Sequence, residues 1–78
     1  MTEKEFNVIF GLRVKEIRKI LNLSQTELGE IVLENQRTIS YIEDGERSVT
    51  CSFALMLEEK LNVNLLWFLK GDGDKFIQ

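Results

Sequence analysis

The 78-residue sequence has no proline, no histidine and a single cysteine, Cys51. One cysteine cannot form a disulfide within the chain, and without histidine too few nitrogen and sulfur ligands remain for a closed zinc site. We therefore expect no bound metal and no cofactor. A lone reduced thiol is typical of the cytoplasm, so we expect a cytoplasmic protein.

Long apolar segments are also missing. No run approaches the ~18 residues that a membrane span requires. The N-terminal residues Thr2–Glu5 are charged, unlike the start of a secretory signal. We expect no association with a membrane.

The residue combinations that enzymes use are absent as well. The sequence contains no nucleophile paired with a base and no glycine-rich phosphate loop. These absences predict a binding protein, not an enzyme.

The charge balance is acidic. Ten Lys and Arg residues stand against 13 Asp and Glu residues, a net charge of −3. A nucleic-acid-binding protein usually carries a basic stripe, because neutralising phosphates supplies most of its non-specific affinity. Composition alone therefore does not suggest that class of partner.

Apolar residues recur at three- and four-residue intervals, which predicts an all-α protein of five short helices. Thr2 and Ser24 each precede a glutamate by three residues, the spacing of a capping box. The residues that can cap the N-termini of the five helices are Thr2, Ser24, Asn35, either Thr50 or Ser52, and Asn64. Gly45 and Gly71 are placed to end the third and fifth helices.

A chain of this length supports one hydrophobic core. We expect a compact five-helix bundle over residues 1–71, followed by a C-terminal tail at residues 72–78.

Two blocks in the middle of the chain form a motif. The residues from Leu23 to Glu30 read LSQTELGE, and those from Thr38 to Arg47 read TISYIEDGER. Together they resemble the phage repressor and Cro type (XRE-like, lambda-repressor-like) helix-turn-helix family, whose common pattern is LSQxxLAx, a turn, then TISxIExGxR. The resemblance extends from about Phe10 to Gly71.

The resemblance implies a lambda-repressor-like DNA-binding domain with the helix-turn-helix in the second and third helices. The implied function is a sequence-specific transcription regulator, expected to be a repressor, that binds double-stranded DNA at a palindromic operator. In such motifs the second helix of the pair enters the major groove.

By the pattern of the family, Gln36, Arg37 and Tyr41 occupy the main base-facing positions, with Thr38 next in reach. Glutamine can pair with adenine and arginine with guanine, each contact discriminating by about 1–3 kcal/mol.

Phosphate contacts are expected at the start of the second helix, where free amides and the helix dipole favour an anion. Gln25 matches the phosphate-contacting glutamine of the family, and Ser24 precedes it. Arg47, just past the third helix, is a second candidate, and Ser40 on the third helix is included in the same group.

Arg18 and Glu43 stand where the family commonly has an ion pair between the first and third helices. The resemblance therefore implies a structural pair. The alternative is two solvated charges that contribute little to stability.

The last helix is apolar on all sides, and a bundle of this size cannot bury every side of it. We therefore expect a homodimer contact through this helix, formed by Leu66 and Phe68 together with Phe76 and Ile77 of the tail. The alternative is a tail that folds back or is disordered.

The sequence departs from the family pattern in the turn and after the third helix. Leu33 and Glu34 stand where the family usually has glycine and a buried aliphatic, and we expect Leu33 to take the buried role. Asp44 and Glu46 place acidic groups near the expected phosphate path. These acidic groups favour an alternative function, a helical protein-interaction module (antitoxin-like or partner-binding) with lost or weakened DNA binding.

Overall fold

The computed structural model describes residues 1–77 and contains five helices in that range. They are α1 (Glu3–Ile20), α2 (Gln25–Val32), α3 (Gln36–Glu43), α4 (Cys51–Leu61) and α5 (Leu65–Lys70). The prediction of an all-α fold with α2 and α3 as the helix-turn-helix is confirmed. In the described part of the chain, no helix has the length and apolarity needed to cross a bilayer.

The predicted capping residues begin the helices. Thr2 and Ser24 form complete capping boxes with Glu5 and Glu27. Thr50, and not Ser52, caps α4 by accepting a hydrogen bond from the amide of Phe53. These interactions are local to each helix and fix the residue at which it begins.

The core lies where α3 packs against α1 and α2, with α4 and α5 closing the other side. Its buried apolar residues are Val14, Ile17, Leu28, Val32, Ile39, Ile42, Phe53, Ala54, Leu57, Val63, Trp67 and Phe68. Gly11 permits the close crossing of α1 and α3, because a Cβ there would overlap the carbonyl oxygen of Ile42. The backbone of α3 is therefore held directly against α1.

The turn between α2 and α3 corrects one expectation. Leu33 is not buried: it is 79% exposed and adopts a left-handed conformation, with φ of 62°. Leu33 takes the position of the missing glycine at the end of α2, and that conformation directs its side chain into solvent. The cost of left-handed backbone in a branched residue is about 1–2 kcal/mol.

Substituting Leu33→Gly is expected to raise the free energy of unfolding by about 1 kcal/mol, because glycine adopts this conformation without strain. Asn62→Gly is the matched control. Asn62 has φ of 60°, and asparagine tolerates the left-handed region, so its substitution should give a smaller gain. Urea denaturation of both variants tests this. Equal gains, or a loss for Leu33→Gly, would contradict the assignment of strain to Leu33.

Residues after α5 return to the bundle. Val63 and Phe76 form an isolated antiparallel bridge, and the amide of Ile77 donates to the carbonyl of Asn62 at 2.8 Å. Phe76 packs against the core. We expected residues 72–78 to form a C-terminal tail. Residues 72–77 fold back on the bundle, and Gln78 lies outside the described residues.

Phe68 corrects a second expectation. It is fully buried, and its ring stacks on that of Phe10 with 5.7 Å between centroids. A side chain inside the core cannot contact a second molecule, so the assignment of Phe68 to a dimer contact is wrong. The reason is the rotation of α5, which turns Phe68 and Trp67 inward and leaves Leu66 52% exposed.

Candidate nucleic-acid interface

One face of α3 carries exposed polar side chains. Ile39 and Ile42 anchor the other face in the core. The exposed residues are Gln36, Arg37 and Tyr41. A side chain must be exposed to contact a DNA base. Ser40 lies beside them and is half-buried.

Thr38 does not share this exposed face. Only 8% of its surface is accessible, and it lines a cleft of about 60 Å³ with Ile42 and Phe53, on the side of α3 that approaches α4. The expectation that Thr38 lies within reach of a base is therefore wrong. Helical spacing turns position 38 toward the core when Ile42, four residues on, is buried.

The start of α2 presents backbone donors beside α3. Ser24 and Glu27 satisfy each other, with Ser24 Oγ accepting from the Glu27 amide at 3.0 Å and Glu27 Oε1 accepting from the Ser24 amide at 2.8 Å. The amides of Gln25 and Thr26 have no acceptor within the helix, as at any helix start. Hydrogen bonds from the amide and hydroxyl of Ser24 lower the pKa of Glu27, so a negative charge stays next to these donors.

Arg18 and Glu43 form a bidentate ion pair beneath α3. Arg18 Nε lies 2.7 Å from Glu43 Oε2, and Arg18 Nη2 lies 3.0 Å from Glu43 Oε1. The side chains are only 13% and 2% exposed. The hydrogen bond to Glu43 raises the pKa of Arg18. Arg18 also donates to the carbonyl of Leu23 at 2.9 Å, so the pair ties α3 both to α1 and to the loop before α2.

Two glutamines continue this network to the surface. Gln25 Nε2 donates to Glu43 Oε1 at 3.2 Å, and Gln36 Nε2 donates to Gln25 Oε1 at 2.7 Å. The four side chains therefore form one chain of hydrogen bonds from α1 to the first residue of α3. The sequence motif identifies all four residues, but it contains no signal for the contacts of Gln25 with Glu43 and Gln36.

The charges around the exposed face of α3 are mixed. Arg37 and Arg47 are exposed, and Arg47 lines the same small cleft as Glu34. Asp44 and Glu46 are exposed after the end of α3. Acidic groups this close to the expected phosphate path weaken the non-specific electrostatic attraction between the protein and DNA.

The tight turn, the buried underside of α3 and its exposed polar face define the class of protein: a helix-turn-helix DNA-binding domain. The chain belongs to the helix-turn-helix family (HTH_3), whose family model matches residues 14–68. The resemblance to phage repressor and Cro type proteins is confirmed, and membership of this family supports a DNA-binding regulator instead of an enzyme.

Two solved structures are similar to this chain. The restriction-modification controller protein C.AhdI from Aeromonas hydrophila superposes with a TM-score of 0.73 and 27% sequence identity, covering 80% of this chain and 94% of its own. An HTH_3 family transcriptional regulator from Vibrio cholerae superposes with a TM-score of 0.79 and 22% identity, covering 91% of this chain and 40% of its own, and shows the fold alone. None of the curated proteins matches this sequence.

Proposed function

We propose that this protein is a transcriptional repressor that binds a palindromic operator as a homodimer, with α3 of each copy in the major groove. The observation that carries the proposal is the exposed set of Gln36, Arg37 and Tyr41 on a helix fixed from below by the Arg18–Glu43 pair. Similarity to a restriction-modification controller protein supports a regulatory role. An exposed free thiol at Cys51 fits a cytoplasmic location.

In this proposal Gln36, Arg37 and Tyr41 contact the bases. The phosphate contacts come from the free amides at the start of α2, from the side chains of Ser24 and Gln25, and from Ser40 and Arg47. Few basic groups line this surface, so the phosphate contacts would mainly fix the position of α3 on the duplex and add little non-specific affinity.

The proposed dimer contact lies on the α4–α5 side of the bundle. An apolar groove of about 300 Å³ opens there, lined by Phe10, Val49, Thr50, Cys51, Ala54, Leu55, Leu65 and Leu69. Leu55 and Leu69 are each about half exposed, as are Leu66 and Ile77, while Phe76 is half-buried. A two-fold pair formed through α5 can place two α3 helices one DNA turn apart, about 34–36 Å.

The DNA-binding prediction is tested by selecting duplexes from a random pool and measuring the affinity for the selected site. We expect a palindromic consensus. Arg37→Ala and Gln36→Ala should each reduce the preference for that site over scrambled DNA by about ten- to a hundredfold, because each removes a bidentate base contact. Lys15→Ala is the control, since Lys15 is an exposed cation on α1 outside this face and should not change the preference.

Enrichment of a duplex by the folded protein separates the two functional classes. Binding should weaken as salt rises, as phosphate contacts require. Failure of the folded protein to enrich any duplex at low salt would instead favour the protein-interaction module. The exposed acidic side chains of Asp44 and Glu46 are the observation that supports this alternative.

The dimer prediction concerns Leu69, which is 48% exposed at the groove. Leu69→Glu should shift the protein from dimer to monomer in sedimentation and weaken operator binding, because a charge would be buried in the contact. Leu12→Glu is the matched control, since Leu12 is 59% exposed on α1 and does not line the groove. A wild-type protein that sediments as a monomer at every concentration would refute the dimer.

A further inference from the structure

The first turns of α1 precede the part of the chain that the family model matches. That part begins at Val14, whereas α1 begins at Glu3. The extension of α1, residues 3–13, packs against the loop that follows α3. A Cβ on Gly45 in that loop would lie 2.9 Å from Cγ2 and 3.1 Å from Cα of Val8. The extension is therefore held directly against the loop that carries Arg47, a proposed phosphate contact.

One side-chain hydrogen bond joins the extension to this loop. Ser48 Oγ donates to Glu3 Oε1 at 3.1 Å, and both side chains are exposed. Glu3 is not the carboxylate that caps α1, because Glu5 forms the capping box with Thr2. The carboxylate of Glu3 is therefore available for Ser48, 45 residues further along the chain.

The hydroxyl of Ser48 has a second potential acceptor in a DNA complex. Ser48 directly follows Arg47 and is exposed beside it, so it lies on the same expected phosphate path. A serine hydroxyl has only one hydrogen to donate. Ser48 can donate to Glu3 or to a phosphate oxygen, but not to both at once. In the free protein the carboxylate of Glu3 takes the part of that phosphate.

The charge of Glu3 acts in the same direction as this competition. Asp44 and Glu46 already place two negative charges around the loop, against the single positive charge of Arg47. Glu3 adds a third carboxylate at the same edge of the molecule. Each of these groups opposes the attraction to phosphates that supplies non-specific affinity.

We propose that Glu3 is an autoinhibitory residue, which competes with DNA phosphates for the hydroxyl of Ser48 and lowers the affinity for any duplex. This inference rests on the proposed function and adds Ser48 to its phosphate contacts. Phosphate contacts carry no base information, so the competition weakens binding to selected and scrambled DNA alike. The base contacts of α3 then decide where the protein stays bound.

The charge of Glu3 is tested by measuring affinities for the selected duplex and for scrambled DNA at two salt concentrations. Glu3→Gln keeps an acceptor for Ser48 and removes the negative charge. At about 0.1 M salt it should tighten binding to both duplexes by about two- to fivefold. The gain should shrink as salt rises, because exposed charges are screened.

Glu16→Gln is the matched control for this change in net charge. Glu16 lies on the same helix, about 20 Å further along its axis. That separation is twice the screening length of about 10 Å at 0.1 M salt. The control should therefore leave both affinities unchanged.

A double-mutant cycle isolates the competition for the hydroxyl. In the wild-type background Ser48→Ala should change affinity by less than about twofold, because it removes the contact with Glu3 as well as the contact with phosphate. In the Glu3→Ala background the same substitution should weaken binding by about two- to tenfold, the range for one hydrogen bond. Circular dichroism checks that the variants fold, as substitutions at exposed positions should allow.

Two outcomes would overturn the proposal. One is a Glu3→Gln variant that binds both duplexes no more tightly than wild type, since Glu3 would then be neutral or a support for the loop. The other is an equal effect of Ser48→Ala in both backgrounds, since Ser48 would then be independent of Glu3. If neither wild type nor Glu3→Gln enriches any duplex, the proposed function itself is refuted. A wild-type protein that selects a site unaffected by Glu3→Gln refutes this inference alone.

Discussion

Replacing Arg18 with methionine is expected to lower the free energy of unfolding by about 3–5 kcal/mol, because it leaves the carboxylate of Glu43 buried without its counter-charge. A small domain is typically stable by only 5–15 kcal/mol, so this single change removes a large share of the total. Urea denaturation followed by circular dichroism measures it. The loss should be similar at any neutral pH, because an arginine side chain is charged throughout that range.

The control for this prediction is the other ion pair in the described chain. Lys75 and Glu16 lie 3.2 Å apart, but their side chains are 42% and 46% exposed. Glu16→Gln should therefore change stability by less than about 1 kcal/mol, as exposed pairs do. A loss after Arg18→Met no larger than that after Glu16→Gln would show that the Arg18–Glu43 pair is solvated.

A double variant separates stability from the placement of α3. Arg18→Met with Glu43→Leu removes both charges and should restore most of the stability, since an apolar pair can replace a buried ion pair. The same variant removes the acceptor of Gln25, so the preference for the selected site over scrambled DNA should stay reduced even though the protein is stable. Recovery of both the stability and the site preference would contradict the proposal that the buried pair fixes α3 for DNA binding.

Local interactions explain why the helices could be predicted from the sequence. Ser24 and Glu27 form a capping box with each other, and so do Thr2 and Glu5, whatever else the chain does. The exposed face of α3 could be predicted too, because Ile39 marks the opposite, buried side. In each case the spacing of residues along one helix carries the information.

Features that depend on contacts between helices could not be predicted. The exposed state of Leu33 follows from a left-handed backbone that the residue type disfavours. The contacts of Gln25 with Glu43 and Gln36 join residues 18 and 11 positions apart, and no periodic pattern encodes such distances.

The orientation of α5 could not be predicted from the sequence either, and substitutions in this helix test it. Its sequence, LLWFLK, is apolar at nearly every position, so periodicity cannot tell which side chains face inward. Packing decides: Phe68 stacks on Phe10 in the core, whereas Leu66 is half exposed. Phe68→Ala should therefore lower the free energy of unfolding by about 3–5 kcal/mol through the cavity it leaves.

Leu66→Ala is the matched variant, two residues away in the same short helix. In a monomer this substitution should change the free energy of unfolding by no more than about 0.5 kcal/mol, as at other exposed positions. If Leu66 lies in the proposed dimer contact, its substitution should lower stability only at protein concentrations where the dimer forms, because association stabilises by mass action. Phe68→Ala should lower stability at every concentration, since the core belongs to each copy. Equal losses for both variants at low concentration would show that α5 is rotated from its position here, and the groove proposed for the dimer would then have to be drawn on a different face.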